Sequence, residues 1–423
     1  MDSFVHLHVH SEYSLLDGAN RIDALVATAA AMGMDSLALT DHGNLFGALA
    51  FYKAARKAGI KPILGIEAYI SPTTRHDRSM GNISTAAYHL LLLALNETGW
   101  RNLLKLSSRA YLEGFYYRPR VDRELLAEFN EGLICTTACL GGEVPTALLE
   151  GREDDARRIA GEYRDIFGPD RFFIEVQKQG LADQDRVNPQ LLALADELGV
   201  GVVGTNDVHF LRREDKKAHE VLTAISTGKT LAEGGGPTYP EEVYLKSPAE
   251  MRQALAHLDG AADATVRIAE MCNVELDFSA AHLPVFEPDD GSAPEAYLRR
   301  IAEEGLAGRF EGRAVPEDYR QRLLRELEVI EGKGYSSYFL IVNDFVQYAR
   351  RNAIPSAPRG SGVATLLGYA LGIAEVDPLR YGLLFERFTD PQREEAPDMD
   401  IDICQDGRAE VLRYVRERYG HVA

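Results

Sequence analysis

The sequence has no apolar run near the ~20 residues that a membrane-spanning helix needs; the stretch Leu90 to Leu95 is among its longest. It has four cysteines, Cys135, Cys139, Cys272 and Cys404, in 423 residues. That is no disulfide framework, and it points to a reducing, cytoplasmic setting. No basic stretch leads into an apolar one at Met1-Asp2-Ser3-Phe4, so no secretory signal is expected. Basic residues are also short: 46 Lys and Arg face 65 Asp and Glu, a net charge of −19. Alone, that argues against a nucleic-acid partner. The imbalance is uneven, however, with 18 basic and 21 acidic residues from Arg299 onward. A local basic groove can still supply phosphate contacts, so nucleic-acid binding has to be argued from motifs. There is no low-complexity tract and no short-period repeat. A content of 45% hydrophobic and 26% charged residues excludes disordered and collagenous chains. At roughly 100–200 residues per domain, two or three domains are expected.

The first 210 residues alternate short apolar strands with amphipathic helices. Phe4 to His10 alternates with period two, and Arg21 to Gly33 has helical spacing. Ser36 to Thr40, Lys61 to Ile70 and Val200 to Thr205 read as strands, with a helix between the first two running to about Ala58. Such alternation implies an α/β fold with functional groups at the carboxyl ends of strands. Ser247 to Val274 reads as helical. The proline-bearing stretch Asp277 to Pro294 is the domain-boundary candidate. Helices are then expected over Ala293–Ala307, Tyr319–Gly332 and Tyr338–Asn352. After them come a turn at Pro355–Gly362, a helix to Gly372, a strand near Pro397–Ile403 and a helix over Ala409–Tyr419.

His6, His8 and His10 fall on one face of the opening strand, with imidazoles ~7 Å apart. Such a face can chelate a metal, although an exposed polar strand face explains the bare His-x-His pattern equally well. Further ligand types recur at later strand ends: Asp17, His42, Glu67, His89, Cys139, Asp207 and His209. Imidazole, carboxylate and one thiolate together suit zinc, or a mixed zinc, manganese and iron cluster. Two close metals can clamp a phosphate ester and activate a water, so phosphoester hydrolysis is the implied reaction.

These positions resemble the ligand set of the PHP (polymerase and histidinol phosphatase) domain, a barrel that holds up to three metals in its mouth. Carried over residue by residue, the pattern falls on His8, His10, Asp17, His42, Glu67, His89, Cys139, Asp207 and His209. The resemblance implies up to three ions, Zn²⁺ or Mn²⁺/Fe²⁺, in a (β/α)7-type barrel. Where the site is intact it also implies a 3′→5′ proofreading exonuclease; a structural or inherited inactive site is the alternative. His6 lies outside the pattern and is read as structural.

Pro397-Asp398-Met399-Asp400-Ile401-Asp402-Ile403 puts three carboxylates on one strand face and apolar side chains on the other. Like charges so close repel unless cations neutralise them. Upstream, Arg359-Gly360-Ser361-Gly362 is a turn that can present backbone N–H groups and a guanidinium to phosphate. With Gly334 to Phe345, Asp377-Pro378-Leu379 and Leu384 to Phe388 in order, this resembles the palm of bacterial replicative DNA polymerase III alpha subunits, family C. The resemblance implies two Mg²⁺ at Asp400 and Asp402. Asp398 is left open because the sequence does not define the register. It also implies contacts from Arg359, Gly360 and Ser361 to an incoming deoxynucleoside triphosphate. The implied partners are primer–template DNA, a sliding clamp, a clamp loader and a separate proofreading exonuclease, with no membrane.

Residues 1–278 are thus expected to be a PHP phosphoesterase-like domain, and 279–423 a partial, mostly helical α+β palm. Two departures stand out. Ser356-Ala357-Pro358 replaces a glycine-richer phosphate turn, and the family's third palm carboxylate, fingers and clamp-binding modules lie beyond Ala423. An N-terminal piece is therefore expected, either a fragment or a truncated gene product, which does not polymerise alone. Thr227-Gly228-Lys229-Thr230 is no P-loop, since Thr223 stands where the first glycine is required. Cys272 and Trp100 are read as packing residues, and Cys135 as no ligand. Two other functions compete: a free-standing PHP phosphoesterase acting on a small phosphate ester, and an inactive PHP platform that docks a separate exonuclease.

Overall fold

The stretch from Lys61 to Ile70 is too apolar for a strand with one wet face. It forms the longest strand among the described residues, buried on both sides. The computed structural model describes residues 3–79, 86–278, 284–390 and 397–420. They fall into two compact units, Met1–Asp277 and Phe278–Ala423. Part of the boundary candidate, residues 279–283, lies outside the described residues.

The first unit is a mixed α/β structure around one curled sheet. Its strands are β1 (Ser36–Leu39), β2 (Lys61–Ile70), β3 (Tyr88–Ala94), β4 (Arg120–Val121), β5 (Leu133–Thr136), β6 (Phe172–Gln177) and β7 (Gly201–Thr205). The order is β1-β2-β3-β5-β6-β7, with β4 beside β2. Only β3 runs against its neighbours β2 and β5. Its first residues therefore sit level with the last residues of the parallel strands.

The inner face changes character along its height. At one end Ala38, Ile63, Leu93, Ile134 and Val203 pack with Ala264 and Ile268 of the helix Ala261–Met271, which plugs the interior. The same faces of β2 and β6 carry Glu67 and Glu175 at the other end. Outward-facing Leu64, Ile66, Ala68, Leu90 and Leu92 join the larger core against the surrounding helices.

The N-terminal segment differs from the expected strand. Only Val9 forms a bridge, to Val208, and the backbone bends at His8. Val5 and Leu7 face the inner core, yet His8 and His10, of opposite parity, face the same interior. The bend at His8 absorbs that change of parity. His6 turns away, its Nε2 lying 2.8 Å from the Lys246 carbonyl, and burial pushes its pKa down to about 4. Side chains replace part of the ladder: the Val5 N–H donates to Thr265 Oγ1 and the Val9 N–H to Thr40 Oγ1. The segment still links the two ends of the sheet. The Ala38 and Thr40 N–H groups donate to the His6 and Val9 carbonyls, and the His10 N–H donates to the Val208 carbonyl.

Three other expectations shift. The helical stretch from Ser247 to Val274 is two helices, Pro248–Ala254 and Ala261–Met271, broken where Gly260 takes a φ of 74°. In the second unit, the long helices Pro294–Arg309, Glu317–Gly332 and Ser336–Arg351 form as expected from their spacing. The helix expected to follow the Arg359 turn does not start at Val363. Gly360–Ala364 is a 3₁₀ turn, and an α-helix follows only over Leu366–Ala370. The cause is Glu326, fully buried, whose carboxylate accepts from Thr365 Oγ1 (2.6 Å), the Leu366 N–H (3.0 Å) and the Leu367 N–H (2.9 Å). Arg322 Nε also donates to it at 2.6 Å. Burial pushes the Glu326 carboxyl upward against these donors. The acidic strand is also shorter than expected: β9 (Ile401–Ile403) pairs antiparallel with β8 (Ser356–Pro358).

Glu326→Ala leaves two helix N–H groups and the Thr365 hydroxyl unpaired in the core. The expected cost is about 2–4 kcal/mol of second-unit stability. The one tryptophan, Trp100, lies in the first unit. Urea unfolding followed by circular dichroism should therefore shift to lower urea, while the Trp100 fluorescence transition stays in place.

Candidate metal centre

The polar end of the barrel interior collects side chains from seven segments. His8 and His10 come from the bent N-terminal segment and Asp17 from the loop after it. His42 follows β1, Glu67 lies near the end of β2, and His89 begins the reversed β3. Cys139 follows β5, and Asp207 and His209 follow β7. All nine expected ligand positions of the first constellation lie in this one cluster.

Glu67 is at its centre. Its Oε1 lies 3.3 Å from His8 Nε2, 2.9 Å from His89 Nδ1 and 3.7 Å from Cys139 Sγ. Its Oε2 lies 3.4 Å from His10 Nε2 and 2.6 Å from His42 Nδ1. Asp207 Oδ1 is 3.3 Å from His8 Nε2 and 3.1 Å from His10 Nε2, and Asp17 Oδ1 is 3.3 Å from His42 Nε2. Three sets of ligand atoms each fall within 4.8 Å of one another: His8, His10 and Asp207; His10, His42 and His209; His42, Glu67 and His89. They share His10 and His42, so the centre is continuous.

Hydrogen bonds around the cluster orient its imidazoles. His8 Nδ1 lies 2.8 Å from Glu175 Oε1 and donates to it. Ser14 Oγ donates to Asp41 Oδ1 at 2.7 Å, so it accepts from His10 Nδ1 at 3.0 Å. His209 Nδ1 donates to the Asp207 carbonyl at 2.8 Å. In each ring Nε2 is left as the atom that faces inward. Those three nitrogens, with Asp17 Oδ1, Glu67 Oε2 and Asp207 Oδ1, are buried and find no hydrogen-bond partner in the protein. An unpaired buried polar atom costs about 1–3 kcal/mol, and six converge here. The donor set of imidazole, carboxylate and thiolate fits divalent metal ions.

The charges are mutually supporting. Burial alone raises the Asp17 and Asp207 carboxyls, but facing imidazoles hold both well below the usual carboxylate range. Burial, with His42 and His209 alongside, pushes His10 down to about 3. For His8 burial is overcome by Asp207, Glu175 and Glu67, which raise it well above its ordinary value.

Besides Ser14, four participants escape the sequence reading. Glu175 was detectable as the lone charge in Phe172–Gln177. Asp41 adjoins His42, and it accepts from Ser11 N–H, Ser11 Oγ and Ser14 Oγ. Tyr239, whose hydroxyl donates to Asp17 Oδ2 at 2.7 Å, lies in a stretch with no strand or helix signal. His219 Nε2 donates to the Asp17 carbonyl at 2.7 Å, from the helix Lys216–Ser226. Cys135 belongs to the outer core, away from the centre.

The second constellation is arranged differently. Asp398, Asp400 and Asp402 are all exposed, while Met399 between them is buried. Arg359 lies against the acids, its Nη2 3.3 Å from Asp400 Oδ2 and its Nε 3.4 Å from Asp402 Oδ1. Its N–H donates to the Asp400 carbonyl at 3.0 Å. Among the described residues, the three aspartates do not form a three-ligand group. Gly360, with a φ of 62°, and Ser361 continue into the 3₁₀ turn. The helix N-terminus beyond that turn is occupied by Glu326.

Comparison with known proteins supplies two family matches. The family described as PHP domain matches residues 6–179, and the family described as bacterial DNA polymerase III alpha NTPase domain matches residues 296–423. The DNA polymerase III subunit alpha of Treponema pallidum is 48% identical over 422 residues, covering 99% of this chain and 36% of that protein. That of Borreliella burgdorferi is 46% identical over 421 residues, with the same coverage. The chain therefore spans about 36% of the length of these relatives. A solved amidohydrolase from Chromobacterium violaceum aligns over 49% of this chain and 88% of its own, at 17% identity and a TM-score of 0.32.

Two outcomes follow from the cluster's geometry. Glu175→Ala removes the partner that orients His8, and metal affinity measured by chelator competition should fall roughly 10–100-fold. Metal uptake should also release protons, because His8 carries one near neutral pH and must lose it to bind through Nε2. Apparent affinity then rises as pH increases through the raised His8 pKa; calorimetry in buffers of differing ionisation enthalpy measures the protons released.

Proposed function

Because the chain belongs to the DNA polymerase III alpha subunits over the 36% of their length that it spans, we propose that its first unit is a metal-dependent phosphoesterase which trims DNA from the 3′ end. The observation that carries this reading is the convergence of six unpaired buried ligand atoms in one cluster. His8, His10, Asp17, His42, Glu67, His89, Cys139, Asp207 and His209 are the ligands in this reading. The ions are Zn²⁺, or Mn²⁺ and Fe²⁺, up to three in number. Bound there, such metals supply a polarised phosphoryl oxygen and an acidified water. The protein contributes orientation: Glu175, Ser14 and the Asp207 carbonyl hold the rings of His8, His10 and His209. Tyr239 and His219 hold Asp17.

The second unit is read as the opening part of a nucleotidyl-transfer palm. Asp400 and Asp402, with Asp398, hold two Mg²⁺, and Arg359, Gly360 and Ser361 meet the triphosphate. In the closed ion pairs Arg359 occupies the space between two of these carboxylates, so ion binding requires it to swing outward to phosphate. At exposed positions such a pair is worth only ~0–1 kcal/mol, which permits that exchange. The whole protein in this reading is a cytoplasmic DNA-directed DNA polymerase acting on primer–template DNA and deoxynucleoside triphosphates. Its partners are replication subunits: a sliding clamp, a clamp loader and a proofreading exonuclease.

The test is incubation of the chain, with zinc or manganese, with 5′-labelled single-stranded DNA. Stepwise 3′ shortening is expected, and it should vanish in the His8→Ala, His10→Ala variant. Full metal content without shortening would instead identify a structural platform.

A further inference from the structure

Three exposed rings stand on the two chain segments that run from His42 and towards Tyr69 beside the metal centre. Phe46, Tyr111 and Phe115 are 61%, 39% and 50% exposed. Their ring centroids form a row, 6.2 Å from Phe46 to Tyr111 and 6.2 Å from Tyr111 to Phe115. Exposed aromatic surface is unfavourable in water, and three large rings in series are not scattered surface residues.

Their position is tied to the cluster through both chain segments that carry them. Phe46 is four residues beyond His42, a chain distance of at most ~14 Å. Asn44 braces that loop: its Nδ2 donates to the His42 and Tyr13 carbonyls, and its Oδ1 accepts from the Phe46 N–H. The helix Glu97–Leu112 follows the reversed strand β3, so it ends at the height where His89 begins that strand. From its end the chain returns to the cluster. The Arg118 guanidinium lies 5.2 Å over the Tyr69 ring, and Tyr69 packs against His42 and His89. The two segments meet at Gly43, whose φ is 62°; a Cβ there would lie 2.9 Å from the Tyr69 ring and 3.0 Å from Pro119. The two segments that carry the rings are therefore built against the cluster.

We propose that Phe46, Tyr111 and Phe115 are a stacking platform for unpaired bases beside the phosphodiester that enters the cluster. The substrate class is thus a single-stranded nucleic acid rather than a small phosphate ester. This deepens the phosphoesterase reading and rests on it for the position of the phosphodiester. Stacking takes any base, because every base presents a π face. It also answers the charge of the chain. With a net charge of −19, attraction for the sugar–phosphate backbone is weak, so stacking has to supply much of the hold. Arg118, over the Tyr69 ring that packs against His42 and His89, is the cation nearest the cluster on this segment and is assigned the phosphate beside the metals.

The experiment compares two dye-labelled single-stranded DNAs by fluorescence anisotropy with the metal-loaded chain. One carries normal bases and the other has three abasic 3′-terminal positions. The unaltered chain should bind the base-bearing strand roughly tenfold or more tightly. In the Phe46→Ala, Tyr111→Ala, Phe115→Ala variant that preference should disappear, with affinity for the abasic strand unchanged. The three rings are exposed, and an unchanged melting temperature verifies that the variant folds. A preference retained by the variant, or none in the unaltered chain, overturns the platform and leaves the rings to another occupant such as a protein partner. Binding is read without turnover. Shortening without base preference therefore defeats the platform alone, whereas base preference without shortening supports it and defeats the phosphoesterase reading.

Discussion

A carboxylate buried to 1% exposure stays ionised only if its surroundings replace water, and Glu67 is such a group. Desolvation works against its charge, yet His89, His8 and His42 hold its pKa well below the usual range. Each imidazole comes from a different segment, and with His10 they enclose both carboxylate oxygens. If any one of these segments moved, the charge would lose part of its compensation. The strand ends are therefore mutually dependent through one side chain, and the polar half of the barrel holds together around it.

That dependence explains why the interior divides by height. The apolar half can be filled by any well-fitting side chains, as the plugging helix does with Ala264 and Ile268. The polar half has no comparable freedom, because every buried nitrogen and oxygen must be paired or available to a ligand. The bend at His8 is the local cost of joining the two halves within one short segment. Val5 and Leu7 serve the first half, His8 and His10 the second, and no regular strand presents both pairs inward.

Much of this was legible in the sequence, for reasons that can be named. Lys61 to Ile70 is found as a strand with the expected limits, because a long apolar run with a single buried acid has few other uses. The nine candidate ligand positions recur mostly at strand ends, and the barrel brings such ends together. What was hidden depended on contacts distant in sequence. Glu326 acts on residues about forty positions away, so the delayed helix after Arg359 leaves no local sign. Tyr239 reaches Asp17 across 222 positions from a segment without regular structure. The parity change at His8 is also non-local, since alternation in the sequence continues undisturbed through it.

The closing role of the N-terminal segment has a consequence for how the protein is made. In the order of synthesis Asp207 and His209 follow His8 and His10 by about 200 residues. At roughly 5–20 residues per second, the ribosome leaves the two histidines without their partners for about 10–40 s. During that interval the histidines are exposed to any metal in the cell with no barrel to select among them. Any selection among ions that depends on the assembled cluster can operate only after the last strand has docked.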